Sequence, residues 1–221
     1  MANRRVALVG CGMVGMSYAY ALLNSDLCNE LILIDINEEK ALGEAMDLNH
    51  GLCFSSSHMK IRAGSFEDCQ YADLVVITAS AGSRKPGQTR FDLLQKNVGV
   101  FKSFISKIVA SGFNGIFLVA SNPVDVMTRL TYELSGFPAN RVIGSGTTLD
   151  TARLRYLIGD YFQADPHSVH GYVIGEHGDS EFVPFSQLNL STKNVEEFFS
   201  DERFKDEYKR EDIEQIIEKV K

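Results

Sequence analysis

The chain has 221 residues, 44% hydrophobic and 23% charged, which is enough apolar material for a substantial core and typical of an ordinary globular protein. A net charge of −7 with no clustered basic run argues against a nucleic-acid binder. Cys11, Cys28, Cys53 and Cys69 sit singly, without CxxC spacing, and read as free thiols of a cytoplasmic protein.

The opening stretch, MANRRVALVGCGMVGMSYAYALLNSD, has two arginines and then no charge from Val6 to Asn24, a pattern shared by signal peptides and membrane spans. Its glycines give another reading. Gly10, Gly12 and Gly15 form G-C-G-M-V-G between the strand-like VALV and the helix-like MSYAYALLNS. A second apolar strand, LILID, ends in Asp35, twenty residues past Gly15. That is where a dinucleotide fold places the carboxylate that takes the adenosine ribose hydroxyls. Asp35 would repel a 2′-phosphate, which favours NAD over NADP. Cys11, inside the turn, reads as a small packing residue.

Short apolar runs then alternate with helical segments, which predicts an α/β fold with a doubly wound parallel sheet. The predicted strands are 6–10, 31–35, 60–64, 74–80, 115–121 and 141–146. Leu94, Val98, Phe101, Ile105 and Ile108 form one helical stripe, read as core and nothing more. TLDTARLRYLIGDYF (148–162) predicts a further helix. SVHGYVIG and EFVPFSQLNL predict strands of a separate antiparallel unit. The expected division is a Rossmann domain over 1–145 and the start of an α+β catalytic domain over 146–221. Ile213, Ile216, Ile217 and Val220 make an amphipathic stripe that wants a partner, so this second domain reads as unfinished.

Open parallel sheets bind ligands beyond the carboxyl ends of their strands. SAGSRKPGQTR, SNPVD, LDTAR and GEHGDS all fall there. Asp150 and Arg153 are three apart on one predicted helix and share a face, which by itself suggests no more than an exposed ion pair. His177, between glycines on a turn, is free to move a proton near neutral pH. Zinc ligation lacks support, since GEHGD is not an HExxH helix and His50, His58, His167 and His170 show no ligand spacing with it. No metal is expected.

Taken together, G-C-G-M-V-G, LILID, AMDLNHG, RKPGQTR, SNPVD, GSGTTLDTARLR and GEHGDSEFVPFS resemble the L-lactate dehydrogenase branch of the lactate and malate dehydrogenase family, up to about residue 190. The resemblance implies that His177 is the proton donor and acceptor, oriented by Asp150, and that Arg153 clamps the substrate carboxylate. It gives Arg90 the task of polarising the carbonyl and Asn122 that of holding substrate and nicotinamide. Closure of the loop from Gly82 to Thr89 would expel water, with Gly82 and Gly87 as hinges. NAD contacts would come from Gly10, Gly12, Met13, Val14, Gly15, Asp35, Lys40, Ala81, Gly82, Ala120, Asn122 and Ser145. The substrate would be a small 2-oxo or 2-hydroxy acid, and the assembly a homo-oligomer, a tetramer by resemblance, with neither membrane nor nucleic acid as partner.

Two departures stand out. Arg84 occupies a position where lactate enzymes of this type usually carry glutamine and malate enzymes arginine, so oxaloacetate and malate form an alternative substrate pair. The family also continues past residue 221 and includes a pocket threonine beyond it, so the chain reads as C-terminally short, with a catalytically impaired NAD-binding fragment as a further alternative. Arg155, two residues past Arg153, points away from the catalytic face. Bacterial members activated by fructose 1,6-bisphosphate use an arginine and a histidine at the positions of Arg155 and His170, which implies an effector site there.

Overall fold

The computed structural model describes residues 4–82, 87, 89–204 and 206–220, with Arg90 described by its backbone alone. The chain divides into two compact units, Met1–Gly144 and Ser145–Lys221. Among the described residues, no helix is long and apolar enough to cross a membrane.

The first unit alternates strand and helix. β1 (Arg5–Val9), α1 (Met13–Ser25), β2 (Glu30–Ile34), α2 (Glu38–Gly51) and β3 (Lys60–Ala63) form one half. β4 (Leu74–Ile77), α3 (Arg90–Ala110), β5 (Ile116–Val119), α4 (Val124–Ser135) and β6 (Val142–Gly144) form the other. All six strands pair in parallel, in the order β3-β2-β1-β4-β5-β6. This is the doubly wound sheet that the sequence predicts, and its order reverses between β1 and β4, where such sheets open a ligand crevice.

Residues alternate across the sheet. Ala7, Val9, Ile32, Ile34, Val75 and Ile77 pack with Phe101, Ile105, Ile108 and Met127 of α3 and α4. Val6, Leu8, Leu31, Leu33 and Val76 pack with Ala19, Leu23, Ala45 and Leu48 of α1 and α2. Strands covered on both faces read as unbroken apolar runs, which is why these were legible.

The second unit holds α5 (Thr148–Tyr161), β7 (Val169–His170), β8 (Asn189–Leu190), β9 (Lys193–Asn194), α6 (Val195–Ser200) and α7 (Arg210–Val220). The ladder β7-β8-β9 is antiparallel, as predicted, but each strand has two residues. The two long strands expected from SVHGYVIG and EFVPFSQLNL are otherwise reduced to one bridge between Ile174 and Phe182. Pro184 has no N–H for a ladder, and a 3-10 turn follows it at Phe185–Gln187. The stripe on α7 does not lack a partner. Ile213, Ile216 and Val220 are buried with Leu154 and Ile158 of α5, and Ile217 packs at their edge. Tyr161 Oη ties the start of that helix, accepting from the Lys209 amide at 3.0 Å and donating to Asp212 at 2.8 Å.

Candidate active site

In the first unit the glycine turn joins β1 to α1. Gly10 has φ +104°, and a Cβ there would lie 2.5 Å from the Ala79 nitrogen. A Cβ on Gly15 would run into the carbonyl of Gly10, so α1 can approach the strand only with glycine there. Above Gly12 the space is open, and a Cβ at that position would meet nothing within 4 Å. Gly12 is also the N-cap of α1 and offers no side-chain acceptor, so the helix start keeps its N–H groups for a ligand. Met13 and Val14 stand exposed beside them.

Asp35 is held by backbone donors. Its Oδ2 accepts from Cys11 N at 2.8 Å and its Oδ1 from Asn37 N at 2.9 Å, which seats the carboxylate beside the turn. A cavity of about 490 Å³ brings Gly10, Gly12, Asp35, Lys40 and Gly82 together. It is also lined by Phe66, Ser103 and Lys107, which the sequence reading did not single out. Ser103 and Lys107 lie one turn apart on α3, a spacing that could have marked them. A dinucleotide fits this arrangement: open glycine backbone, an uncapped helix start for phosphate, and an acid for ribose hydroxyls. Cys11 is fully buried, and its thiol is pushed up to about 12 by burial and, next, by the Asp35 charge, as suits a packing residue. All four cysteines are unpaired.

Two half-buried hydrogen bonds tie the carboxyl ends of β1, β4 and β5. Thr78 Oγ1 donates to the Gly10 carbonyl at 2.7 Å, and Ser121 Oγ to that of Ala79, also at 2.7 Å. The Ala81 amide donates to Asn97 at 2.7 Å. Ala120 N donates to Ile77 O at 2.9 Å, continuing the ladder beyond β5. Asn122 is exposed and precedes a cis peptide bond to Pro123. Arg84 lies outside the described residues, as does most of the loop around it. Arg90 is the first residue of α3, behind a capping box in which Thr89 and Asp92 exchange bonds of 3.1 and 2.8 Å.

In the second unit, α5 carries Asp150 and Arg153. Asp150 is 1% exposed, and its two oxygens are divided between two cations or potential cations. Oδ2 lies 2.7 Å from His177 Nδ1, and Oδ1 lies 3.5 Å from Arg153 Nη1. Arg153 also donates to the Val220 carbonyl. Thr147 and Thr151 fasten the segment leading to His177 onto α5, donating to Val173 O at 2.6 Å and accepting from Val173 N at 3.0 Å.

The sequence reading missed Glu181. It is 2% exposed, accepts from Gly178 N at 3.2 Å, and lies 3.6 Å from His177 Nδ1. Its position four residues after His177 was the available signal. Donor atoms of Asp150, His177 and Glu181 lie within 4.8 Å of one another, a set that could hold a metal ion. The 2.7 Å contact between Asp150 and His177 is that of a hydrogen bond, and the geometry is suited to proton handling.

Ser145 opens the second unit, its carbonyl accepting from Thr148 N at 3.1 Å. Arg155 donates to the Gly171 carbonyl at 3.1 Å, and its guanidinium lies 4.9 Å from the Tyr172 ring centre. His170, in β7, is exposed.

Known proteins share this construction. Residues 4–144 match the NAD binding domain of lactate/malate dehydrogenase, and 147–221 match its alpha/beta C-terminal domain. The chain is 52% identical to an L-lactate dehydrogenase of Geobacillus sp. (strain WCH70), over 98% of this chain and 67% of that protein. It is 50% identical to L-lactate dehydrogenase 2 of Bacillus cereus, over 98% of this chain and 68% of that one. Among solved structures, the minor L-lactate dehydrogenase of Enterococcus mundtii in its ligands-bound form superposes with a TM-score of 0.95 at 45% identity, covering all of this chain and 69% of that one. A lactate dehydrogenase from a Medee basin deep-sea metagenome library gives 0.93 at 51% identity, again over all of this chain and 69% of that one. This chain therefore spans about two thirds of the length of the relatives it matches, and on family models and identity alike it belongs to the lactate/malate dehydrogenase family.

Proposed function

We propose that the protein is an NAD-dependent L-lactate dehydrogenase, interconverting pyruvate and L-lactate with His177 as proton donor and acceptor. The observation that carries this reading is the buried Asp150 carboxylate 2.7 Å from His177 Nδ1, on the same helix as Arg153. When bound along the glycine turn and Asp35, NAD supplies or accepts the hydride. Lys40, lining the same cavity, adds a cation for the dinucleotide.

With Nδ1 bonded to Asp150, the exchangeable proton is carried on Nε2, which delivers it to the substrate oxygen in reduction and takes it back in oxidation. Asp150 fixes the ring and stabilises the imidazolium. Arg153, its side chain 41% exposed, offers a planar fork to the carboxylate. Arg90 polarises the 2-oxo group and Asn122 bonds substrate and the nicotinamide region. The malate alternative rests on Arg84, and the relatives' lactate names favour pyruvate instead.

The proposal extends to a cytoplasmic homo-oligomer, a tetramer by family likeness, with fructose 1,6-bisphosphate as an effector at Arg155 and His170. Arg155 lines a cavity of about 580 Å³ with His167 and Tyr172, but His170 is not among its lining residues, and the covered stripe of α7 removes that helix as an argument for self-association.

The deciding experiment is NADH oxidation by the purified chain with pyruvate and oxaloacetate at equal concentration. Faster turnover of pyruvate is expected. Faster turnover of oxaloacetate would make Arg84 the specificity residue, and silence with both while NADH binds would reduce the chain to a nucleotide-binding protein.

A further inference from the structure

The apolar stripe of α3 is interrupted by one amide. Asn97 lies three residues after Leu94 and four before Phe101, so it shares their face, and it is 1% exposed. Burying an amide costs free energy unless its polar atoms find partners. Asn97 finds two, in different connections. Its Oδ1 accepts from the Ala81 amide at 2.7 Å, beyond β4, and its Nδ2 donates to the Asn122 carbonyl at 2.9 Å, beyond β5. A backbone N–H needs an oxygen and a carbonyl needs an N–H, so only one orientation of an amide serves both.

We infer that Asn97 is a positioning residue for the dehydrogenase reaction: it fixes the spacing between Asn122 and the root of the loop at Ala81, so that substrate and nicotinamide meet one preset arrangement. The inference rests on the role proposed above for Asn122. Asn97 acts through these two backbone groups and not on the reactants. A misplacement of about 1 Å at a substrate-holding group costs on the order of 10²-fold in rate. A residue that merely fills the core would, when replaced, lower stability and leave turnover intact.

Two variants of the full chain separate these cases. Asn97→Ala removes both bonds, while Asn97→Asp keeps the acceptor for Ala81 and sets an oxygen against the Asn122 carbonyl. The readings are melting temperature, NADH affinity and bound-NADH emission by fluorescence titration, and kcat and KM for pyruvate. In both variants kcat falls by roughly 30- to 100-fold, a loss of the size that misplacement predicts. NADH affinity stays within about threefold, because Gly10 to Asp35 hold the adenosine end. Emission of bound NADH changes, since it arises at the nicotinamide. Adding Asn97→Ala to Asn122→Ala costs less than about threefold more, because residues acting as a unit are not additive.

Variants that melt lower but keep parental kcat and bound-NADH emission would overturn the inference, as would full additivity with Asn122→Ala. If Asn97→Ala fails to fold, Asn97→Asp decides by the same readings. If the parent chain does not turn over pyruvate, the substrate reading fails, and the emission comparison still decides for Asn97: altered supports it, unchanged overturns it.

Discussion

The two units hold their chemistry in different ways. In Met1–Gly144 the nucleotide site is built chiefly of backbone: a glycine turn, an uncapped helix start and strand ends, with Asp35 itself seated by two main-chain amides. In Ser145–Lys221 the strands are two residues long, and the site is a set of side chains on α5 and one turn, Asp150, Arg153, His177 and Glu181. Backbone suits a ligand recognised by phosphates and a sugar, which want many N–H groups at fixed places. Side chains suit proton transfer, which needs a titratable group with a defined partner. A mutation in the glycine turn should therefore disturb binding and folding together, whereas one at His177 should disturb turnover and leave nucleotide binding intact.

The sharpest separation comes from His177→Gln. It removes the proton donor without touching the glycine turn, and a general acid contributes about 10²–10⁴-fold. Pyruvate turnover should fall by about 10³-fold with NADH affinity unchanged; a weakened NADH titration would break the division. Gly10→Ala is the counterpart in the first unit. With φ at +104° and the Ala79 nitrogen 2.5 Å from the new Cβ, the turn must shift. A cost of about 3 kcal/mol is expected from the strained backbone and the clash, read as a lower urea midpoint together with lost NADH binding.

The smallest effect tests a side chain in the backbone-built unit. Burial alone would raise the Asp68 carboxyl, but bonds from the Arg62 side chain at 2.9 Å and the Ser65 amide at 2.8 Å outweigh it and hold its pKa below the ordinary 3.8. A lowered folded pKa gives stability that is present above 3.8 and lost as pH falls through the folded value. Asp68→Asn should cost under about 1 kcal/mol at pH 7, an ion pair at a partly exposed site being worth little. The difference between parent and variant urea midpoints should shrink as the solution is acidified below about pH 4. A larger loss would mean that this unit depends on its side-chain anchors after all.

How far each part was legible follows from the same contrast. The central strands β1, β2 and β4 were readable because both faces are buried, so each appears as an apolar run ending in a motif. The second unit has its strands β7 and β8 in the predicted segments, but these were drawn too long, since two-residue ladders carry no period and Pro184 interrupts EFVPFSQLNL. Its helix α7 was readable, but what covers Ile213 and Val220 was not, because Leu154 and Ile158 lie far away in sequence. Asp150, Arg153 and His177 could be named from motifs, whereas Glu181 carried only its spacing from His177 as a signal and Asn97 carried none. Their weight comes from burial, and an acid or amide beside an apolar run looks the same in sequence whether it faces water or the interior.

Gly12 sets stability against function. Its backbone is extended, with φ −80°, and a side chain there meets nothing within 4 Å, so the free protein would accept serine or aspartate without strain. Either would cap α1 and add about 0.3 kcal/mol, the small margin of these residues over glycine at an N-cap. The same oxygen would stand where a phosphate needs the helix start bare. Selection for thermal tolerance without nucleotide would therefore drift toward a capped residue 12 and silence the enzyme while improving its fold. The glycine persists only under selection that includes the cofactor.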